Sequence, residues 1–254
     1  MTTALITGAT AGIGAEFARQ LAARGDDLVI VARDADRLAR AAAALQHEFG
    51  VKVEAIPADL LSAEGLAAVD ARLADRRRPV DLLVNNAGYG IRGEVDENSF
   101  DDEKRHLDIH VTVPLQLSQT ALRGMLERGR GRIVLISSVA AFTPRGTYSA
   151  AKAWGVMFAR GANIVYRGRG VSVTAVCPGF VRTEFHDRMK VGTERIPQFL
   201  WLQAPALVRS ALRGIDRGRS VVVPTVRYRV IAAIARVLPD RVGTAGQFSS
   251  RDEA

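Results

Sequence analysis

Short apolar runs alternate with longer amphipathic segments along almost the whole sequence, and this alternation constrains the fold more than any other feature. The strand-like runs are Ala4–Thr7, Leu28–Ala32, Val51–Ile56, Leu82–Val84, Arg132–Ser137, Val171–Val176 and Ser220–Val223. Segments such as Ile13–Arg24, Ala35–Phe49 and Leu66–Arg77 place apolar residues three and four apart, as helices do. Strands that are apolar throughout belong in a parallel sheet covered on both faces. The pattern therefore predicts an α/β, doubly wound Rossmann fold with a seven-stranded, mostly parallel sheet.

The rest of the chain predicts a single domain, residues 1–243, because no repeat or linker interrupts the pattern. Residues 244–254 are polar and are expected to form a disordered tail. Cys177 is the only cysteine, which excludes an internal disulfide and is typical of a reducing compartment. Met1 leads directly into the first apolar run without a basic segment, so we expect no signal peptide and a cytoplasmic protein.

The net charge of +8 and pI near 10.3 raise the question of a nucleic-acid partner. The arginines are spread along the chain, and aromatic residues make up only 6% of it. A basic run interleaved with aromatic residues is missing from the sequence, so we predict no nucleic-acid binding. We also predict no metal site. The positive charge is better explained by the binding of a small anionic ligand.

A glycine-rich loop, Thr7-Gly8-Ala9-Thr10-Ala11-Gly12-Ile13-Gly14, follows the first predicted strand and opens a helix. Gly8 permits a tight turn, Gly12 lets the backbone approach a phosphate, and Gly14 allows close packing of helix and strand. The helix N-terminus offers unpaired N–H groups and the positive end of its dipole to a pyrophosphate. The loop therefore indicates a dinucleotide site.

The end of the second predicted strand bears on the choice of nucleotide. An NAD site usually has an acid there that holds the ribose 2′-hydroxyl, whereas this chain has Ala32 followed by Arg33. The planar guanidinium of Arg33 suits a 2′-phosphate, so the sequence favours NADP(H), with NAD(H) as the alternative. Arg33 could instead be an ordinary surface arginine, and the neighbouring Asp34 weakens the local positive charge.

Tyr148 and Lys152 are spaced four residues apart, so on a helix they share one face. A neighbouring ammonium favours the phenolate, so we expect Lys152 to lower the pKa of Tyr148 and to make it a proton donor and acceptor near neutral pH. Ser137 and Ser138 end the preceding strand at the carboxyl edge of the sheet, where a hydroxyl could hold a substrate oxygen. Such pairs also occur by chance, and serine is ordinary at strand ends.

Taken in order, these residues resemble the short-chain dehydrogenase/reductase family in its standard single-domain branch. The resemblance covers residues 2 to about 225. It rests on the glycine loop, Asp59, Asn85-Asn86-Ala87-Gly88, Ser138, Tyr148-x-x-x-Lys152, and Pro178-Gly179 with Thr183. Chance agreement of the whole ordered set is not credible.

The resemblance implies a role for each matching position. Tyr148 is expected to be the general acid/base, Ser138 to orient the substrate oxygen, and Lys152 to tune the tyrosine and bind the nicotinamide ribose. Asp59 would contact the adenine. The residues that the resemblance assigns to cofactor binding are Gly8, Thr10, Gly12, Ile13, Gly14, Arg33, Asp59, Leu60, Asn86, Ala87, Gly88, Tyr148, Lys152, Pro178, Gly179, Val181 and Thr183. Homodimers or homotetramers are common in the family, through the helices that contain His110 and Tyr148.

Three departures from the family pattern affect these expectations. The position of the family's catalytic Asn, which holds a water in the proton relay, is His110 here. His110 could carry the relay or could be a core histidine bonded to backbone. The segment between Ser138 and Tyr148 is short, which predicts a more open pocket rim. Ala11 stands where many NADP-preferring members carry a basic residue, so the cofactor prediction depends largely on Arg33.

Two C-terminal segments bear on substrate and partners. Residues 184–203 are predicted to form a substrate lid, whose apolar side chains either meet a hydrophobic ketone, aldehyde or secondary alcohol or simply pack on the domain. Residues 226–238 predict a basic amphipathic helix with Val230, Ile231 and Ile234 on one side. That side could pack on a subunit or lie peripherally on an anionic membrane surface.

The function predicted from the sequence is an NADP(H)-dependent oxidoreductase. It would transfer hydride between the nicotinamide and a carbonyl or alcohol carbon of a small hydrophobic substrate. The alternative is a non-catalytic NADP(H)-binding or redox-sensing module on the same fold, since a fold alone does not determine function.

Overall fold

A computed structural model describes residues 2–91, 93–144, 146–182 and 197–235 of the chain. Within them, seven strands form one sheet in the order β3-β2-β1-β4-β5-β6-β7. The strands are β1 Thr3–Thr7, β2 Asp27–Ala32, β3 Val53–Pro57, β4 Leu82–Asn85, β5 Gly131–Ile136, β6 Val171–Val176 and β7 Val221–Val222. Each neighbouring pair is parallel, so the predicted fold is confirmed and the sheet is more regular than the expected mostly parallel one.

Helices connect the strands and cover both faces of the sheet. In the described ranges they are α1 Gly12–Ala22, α2 Ala35–Phe49, α3 Ala63–Ala74, α4 Phe100–Leu107, α5 Val113–Glu127, α6 Gly146–Tyr166, α7 Ala204–Asp216 and α8 Val226–Ala235. A π-helical turn, Asp108–Thr112, joins α4 to α5. Among the described residues, no helix has the length and apolar character needed to cross a membrane.

The boundaries of helix α3 differ from the predicted ones at both ends. Helix α3 begins at Ala63 rather than Leu66, because the Ser62 hydroxyl accepts a hydrogen bond from the Gly65 N–H at 3.0 Å. It ends at Ala74 rather than Arg77, because the next residue, Asp75, leaves the helical conformation. The carboxylate of Asp75 then accepts from the Arg77 N–H at 2.9 Å.

Two hydrophobic cores lie on opposite faces of the sheet, because successive strand residues point to opposite sides. On one face, Ile6 is buried with residues of α1, α2, α7 and α8. On the other, Leu5 is buried with residues of α3, α5 and α6. The five inner strands, β2, β1, β4, β5 and β6, are thus covered on both faces, which explains their continuous apolar runs in the sequence.

The strand order reverses between β1 and β4, and the functional residues gather at the carboxyl edge beside this point. Chain connections leave in opposite directions there, which opens a crevice in doubly wound sheets. The glycine loop follows β1, and the Asn85–Gly88 segment begins at the end of β4. The fold therefore brings together sequence motifs that are about 80 residues apart in the chain.

Only parts of the C-terminal segments with predicted roles lie within the described residues. Of the expected lid, residues 197–203 are described, whereas 184–196 and the tail 244–254 lie outside the described ranges. Helix α8 corresponds to the first ten residues of the predicted amphipathic helix. Tyr228 and Ala232 face the core, while Val230, Ile231 and Ile234 are exposed, so packing of this apolar side on a partner or on a membrane surface stays a prediction.

Candidate active site

The glycine loop adopts a compact turn that places the start of α1 against the β4 edge. Gly8 and Gly12 have φ of 68° and 54°, in the region that favours glycine. A Cβ at Gly14 would lie 2.2 Å from the Gly8 carbonyl oxygen and 2.4 Å from Nδ2 of Asn86. The predicted close approach at Gly14 is therefore found. Helix α1 has no side-chain cap at Ala11, so its first N–H groups face the carboxyl edge without a side-chain acceptor.

Asn86 ties the Asn85–Gly88 segment to the end of β1. Its side-chain amide donates to the carbonyl oxygens of Thr7 at 2.9 Å and Gly8 at 3.1 Å. In return, the Thr7 hydroxyl oxygen accepts from the N–H groups of Asn86 and Ala87, each at 3.0 Å. These four bonds hold the two neighbouring strand ends in one arrangement, which positions both sides of the crevice.

Arg33 lies directly after β2, exposed, at the same edge of the sheet. The carboxylate of the adjacent Asp34 accepts from the Arg37 N–H at 2.9 Å and caps α2. Asp34 thus has a structural role of its own at the helix N-terminus.

Asp59 lies between β3 and α3, beside the same edge. Its carboxylate accepts from the Leu61 N–H at 3.0 Å, and its carbonyl oxygen accepts from the Ser62 hydroxyl at 3.0 Å. Leu60 is buried next to it. Asp59 therefore shapes the turn into α3, and its position at the sheet edge agrees with the expected one.

Ser137 and Ser138 follow β5 and point to different partners. The Ser137 hydroxyl donates to the Lys152 carbonyl oxygen at 2.7 Å and so fixes α6 against the strand end. The Ser138 hydroxyl oxygen accepts from the Ala140 N–H at 3.1 Å, and its side chain also hydrogen-bonds Tyr148. Of the two serines, Ser138 is thus the one placed at the tyrosine.

Tyr148 and Lys152 lie one turn apart on α6, with the Lys152 Nζ 5.6 Å from the centre of the Tyr148 ring. Burial raises the pKa of Tyr148 to about 12, although its hydrogen bond with Ser138 acts in the opposite direction. Burial also lowers the pKa of Lys152 to about 8. The expectation of a Tyr148 pKa below its usual value is therefore wrong for the protein without cofactor, because burial is the largest influence on this pKa.

His110 lies in the π-helical turn and contacts Lys152 directly. Its Nδ1 is 3.1 Å from the Lys152 Nζ, and its Nε2 is 2.7 Å from the carbonyl oxygen of Tyr89. Lys152 donates a further bond to the Ile136 carbonyl oxygen at 3.0 Å. Burial and the Lys152 charge hold the pKa of His110 well below its usual value, so the imidazole is neutral at neutral pH.

Gly88 makes room for this imidazole. A Cβ at Gly88 would lie 2.3 Å from Cε1 of His110, closer than any real contact of that kind. The glycine of the Asn85–Gly88 segment is therefore required by the neighbouring histidine. The sequence left two roles open for His110, a part in the proton relay and a core histidine bonded to backbone. Both are compatible with its contacts, because His110 bonds a backbone carbonyl and Lys152 at once.

A cavity of about 20 Å³ lies behind Lys152, between α5, α6 and β5. Asn85, His110, Ser137 and Lys152 contribute polar groups to its wall. The Asn85 amide nitrogen donates to the Ser118 hydroxyl at 3.2 Å, whereas its Oδ1 is buried without a partner among the described residues. The space and the polar wall suit one water molecule.

His106 is a site residue that the sequence analysis did not single out. It is fully buried, and its ring centre lies 4.6 Å from that of His110 and 5.9 Å from that of Tyr148. Neither ring nitrogen has a hydrogen-bond partner within the described residues. The spacing of His106 and His110, four residues apart on a helical segment, is a signal that could have found it.

Tyr228 of α8 fastens the segment after β6, where Pro178, Gly179 and Val181 were predicted to meet the nicotinamide. The ring packs directly on Gly179, where a Cβ would lie 1.9 Å from it. The hydroxyl donates to the Leu200 carbonyl oxygen at 2.7 Å and accepts from the Phe180 N–H at 3.1 Å. Thr183 lies outside the described residues, so its predicted contact stays a prediction.

The base of the expected lid is joined to the same segment. Val181 pairs with Leu202 in an isolated parallel bridge, and the Leu202 N–H donates to the Phe180 carbonyl oxygen at 2.8 Å. Phe180 and Trp201 contact each other with ring centres 6.0 Å apart. An aromatic, largely apolar wall therefore stands where residues 197–202 meet the loop after β6.

Comparison with known proteins agrees with this geometry. The family model for short chain dehydrogenases matches residues 2–192. The ketoacyl reductase HetN of Nostoc sp. is 35% identical over 216 residues, which cover 83% of this chain and 73% of HetN.

Two solved structures extend the agreement to nearly the whole fold. A short-chain dehydrogenase from Sphingobium yanoikuyae in complex with NADPH is 36% identical, with a TM-score of 0.85 over 92% of this chain and 93% of that one. The bulky-bulky ketone specific alcohol dehydrogenase from Comamonas testosteroni is 33% identical, with a TM-score of 0.81 over 93% and 92%. The chain belongs to the short-chain dehydrogenase/reductase family of oxidoreductases.

Proposed function

We propose that this chain is an NADP(H)-dependent carbonyl reductase and alcohol dehydrogenase acting on small hydrophobic ketones, aldehydes or secondary alcohols. The observation that carries the proposal is the joining of Ser138, Tyr148 and Lys152 at the carboxyl edge, with the Ser138 side chain hydrogen-bonded to Tyr148. This arrangement stands beside a glycine loop suited to a dinucleotide. The site thus combines a proton donor and a cofactor cradle.

The cradle fits a nicotinamide dinucleotide. A Cβ at Gly8 or Gly14 would clash with the neighbouring chain, and the uncapped start of α1 offers N–H donors to a pyrophosphate. Arg33 would hold the 2′-phosphate, because a guanidinium matches a phosphate and Asp34 is engaged in capping α2. The Sphingobium relative is described as an NADPH complex, which supports the phosphorylated cofactor. When bound, the nicotinamide would supply or accept the hydride.

The protein's own residues would donate the proton and stabilise the charge that remains. In reduction, the carbonyl oxygen gains an electron pair as the carbon receives hydride, and the Tyr148 hydroxyl would give it a proton. Tyr148 is protonated at neutral pH, because burial raises its pKa to about 12. Ser138 would donate a hydrogen bond to the same oxygen and orient it. The Lys152 ammonium would stabilise the phenolate left behind.

After the reduction, Tyr148 would regain its proton by way of Lys152 and the cavity behind it. The cavity behind Lys152 has room for one water, bordered by the unpartnered Asn85 Oδ1 and by His110. His110 takes the place where the family has its catalytic Asn, and it presents one donor and one acceptor, as an amide does. The neutral imidazole would support the relay by holding Lys152 in place.

Two features support a hydrophobic substrate. Phe180 and Trp201 form an aromatic wall at the lid base, and Leu200 packs beside them. The Comamonas relative is named a bulky-bulky ketone specific alcohol dehydrogenase, and the Nostoc relative is named a ketoacyl reductase. Both names refer to a keto group, which supports a carbonyl substrate.

Initial rates of NADPH and NADH oxidation, measured across ketones and aldehydes of graded chain length, test the proposal. We expect turnover with NADPH, rising with the apolar bulk of the carbonyl compound. Tight NADPH binding without turnover of any member of the panel would instead favour the non-catalytic module and would contradict the proposed activity.

A further inference from the structure

His106 is buried beside the proposed catalytic residues in a state that packing alone does not explain. The ring is 0% exposed, yet both of its nitrogens lack a hydrogen-bond partner among the described residues. A buried polar group left unpaired destabilises the fold, and a Phe or Leu would fill the space without that penalty. An unsatisfied group of this kind in a native protein calls for an explanation.

A second unpaired group lies one turn earlier on the same helix. Glu103 is 8% exposed, and its Oε1 accepts from the Asn98 side-chain amide at 2.8 Å. Its Oε2 is buried without a partner among the described residues. Residues three apart on a helix are neighbours, and the two groups do not bond directly, so one water between them can link the Glu103 carboxylate to a ring N–H of His106. One such link would satisfy both groups.

On its other side, His106 packs against His110. The two ring centres are 4.6 Å apart with 65° between the planes, an edge-to-face contact whose energy depends on orientation. His110 is confined on another side by Gly88 and presents Nδ1 to Lys152 at 3.1 Å. The orientation of His106 therefore bears on whether Nδ1 of His110 meets the lysine.

We propose that His106 is a positioning residue: anchored by Glu103, it holds the His110 ring in the orientation that accepts a hydrogen bond from Lys152. The inference builds on the proposed function, because it assigns His106 to the machinery around Lys152. The groups that face His106 are Glu103 on α4, His110 in the π-helical turn, Tyr89, and Tyr148 and Lys152 on α6. Since burial and the Lys152 charge lower the pKa of His106 to about 4, the ring acts as a neutral group at neutral pH.

The test compares His106→Phe, which keeps a flat ring without nitrogens, with His106→Gln, which keeps a donor and an acceptor. In His106→Phe we expect kcat to fall about tenfold or more with KM for NADPH within about twofold of wild type, because misplacing a catalytic group by about 1 Å can lower the rate by a hundredfold. Losing the acceptor at Lys152 disfavours the ammonium, so the alkaline limb of the kcat profile should move to lower pH. His106→Gln should return that limb to its wild-type position.

A second measurement follows His110 without using catalysis. Nitrogen-15 NMR of histidine-labelled protein without cofactor should show His110 as a single tautomer with hydrogen on Nε2. His106→Phe should weaken that preference, and Glu103→Gln, which removes the charge but not the packing, should move the His110 signals in the same direction. This readout stays interpretable even if no carbonyl compound is turned over, so it separates the inference from the proposed activity.

Each of the two measurements can also overturn the inference. The inference is overturned if His106→Phe leaves the kcat profile and the His110 signals as in wild type. It is equally overturned if His106→Phe and His106→Gln lose activity alike without any shift in pH dependence, which would indicate packing alone. Should His106→Phe fail to fold, unchanged His110 signals in Glu103→Gln would overturn it.

Discussion

The Lys152 ammonium nitrogen lies 3.1 Å from Nδ1 of His110, and the second contact of the same ring fixes its tautomer. Nε2 is 2.7 Å from the Tyr89 carbonyl oxygen, which can only accept, so Nε2 carries the hydrogen. Nδ1 is therefore bare and accepts from the ammonium. Because the Tyr89 carbonyl cannot take up a proton, His110 in this arrangement holds Lys152 rather than passing a proton across its ring.

His110→Asn should therefore preserve most of the activity. An amide also offers one donor for the Tyr89 carbonyl and one acceptor for Lys152, and asparagine is the residue that the family pattern has there. We expect kcat within about fivefold of wild type for His110→Asn, whereas His110→Leu, which lacks both groups, should lose about 1.5–3 kcal/mol of stabilisation at the charged lysine. Steady-state kinetics of the two variants measures this difference in kcat. Equal kcat values for His110→Asn and His110→Leu would contradict the positioning of Lys152 by His110.

The stability of the fold should depend on pH through the buried histidines. The pKa of His106 is about 4 in the folded protein, below its ordinary value of 6.5, so the unfolded chain binds more protons between these values. The contribution of His106 is complete above pH 6.5 and is lost as the pH falls towards 4, at up to about 1.4 kcal/mol per pH unit.

Urea unfolding at a series of pH values measures this effect. Wild type should lose stability between pH 6.5 and 4 more steeply than His106→Phe, because the variant lacks the titrating ring. The exposed His47 on α2 provides the matched control, since His47→Gln should keep the wild-type slope. Parallel curves for wild type and His106→Phe would mean that His106 is not held neutral by burial.

Cofactor preference should depend on Arg33. Replacing it in Arg33→Asp removes a bidentate donor and adds a charge that repels a 2′-phosphate, so NADPH affinity should fall by about 1.5–3 kcal/mol while NADH binding is maintained or improved. Fluorescence titration with each nucleotide measures the two affinities directly. Arg40, also exposed but within α2, supplies the control variant Arg40→Asp. An unchanged ratio of the two affinities in Arg33→Asp would remove Arg33 from the cofactor site.

Tyr228→Phe should loosen the base of the lid. The change removes a hydroxyl that donates to the Leu200 carbonyl and accepts from the Phe180 N–H, while the ring still packs on Gly179. We expect a loss of about 1–3 kcal/mol in the free energy of unfolding and a higher KM for the carbonyl substrate. Chemical denaturation and substrate kinetics measure both, and a variant with wild-type stability would show that these two bonds are dispensable.

Much of the fold could be predicted from the sequence because its signals are local and periodic. The apolar runs gave strands β1 to β7 nearly in place, and the glycine spacing correctly anticipated the close approach at Gly14. Ser138, Tyr148 and Lys152 meet as the family pattern implies. These features depend on backbone geometry that glycine content and hydrophobic period encode directly.

The errors arose where tertiary burial decides the outcome. The raised pKa of Tyr148 depends on how completely the folded chain excludes water from the phenol, which residue spacing does not report. The packing of α8 also depends on tertiary structure, since Tyr228 faces the core where Gly179, in the loop after β6, leaves room for its ring. The π-helical turn at His110 has no periodic signature in the sequence.

Single-turnover oxidation of NADPH by a hydrophobic ketone, in wild type and in Tyr148→Phe, tests the central claim most directly. The account predicts that Tyr148→Phe binds NADPH with wild-type affinity but loses about 10²–10⁴-fold in the rate, because the proton donor is gone. A Tyr148→Phe protein that oxidises NADPH at the wild-type rate would contradict the assignment of Tyr148 as the proton donor.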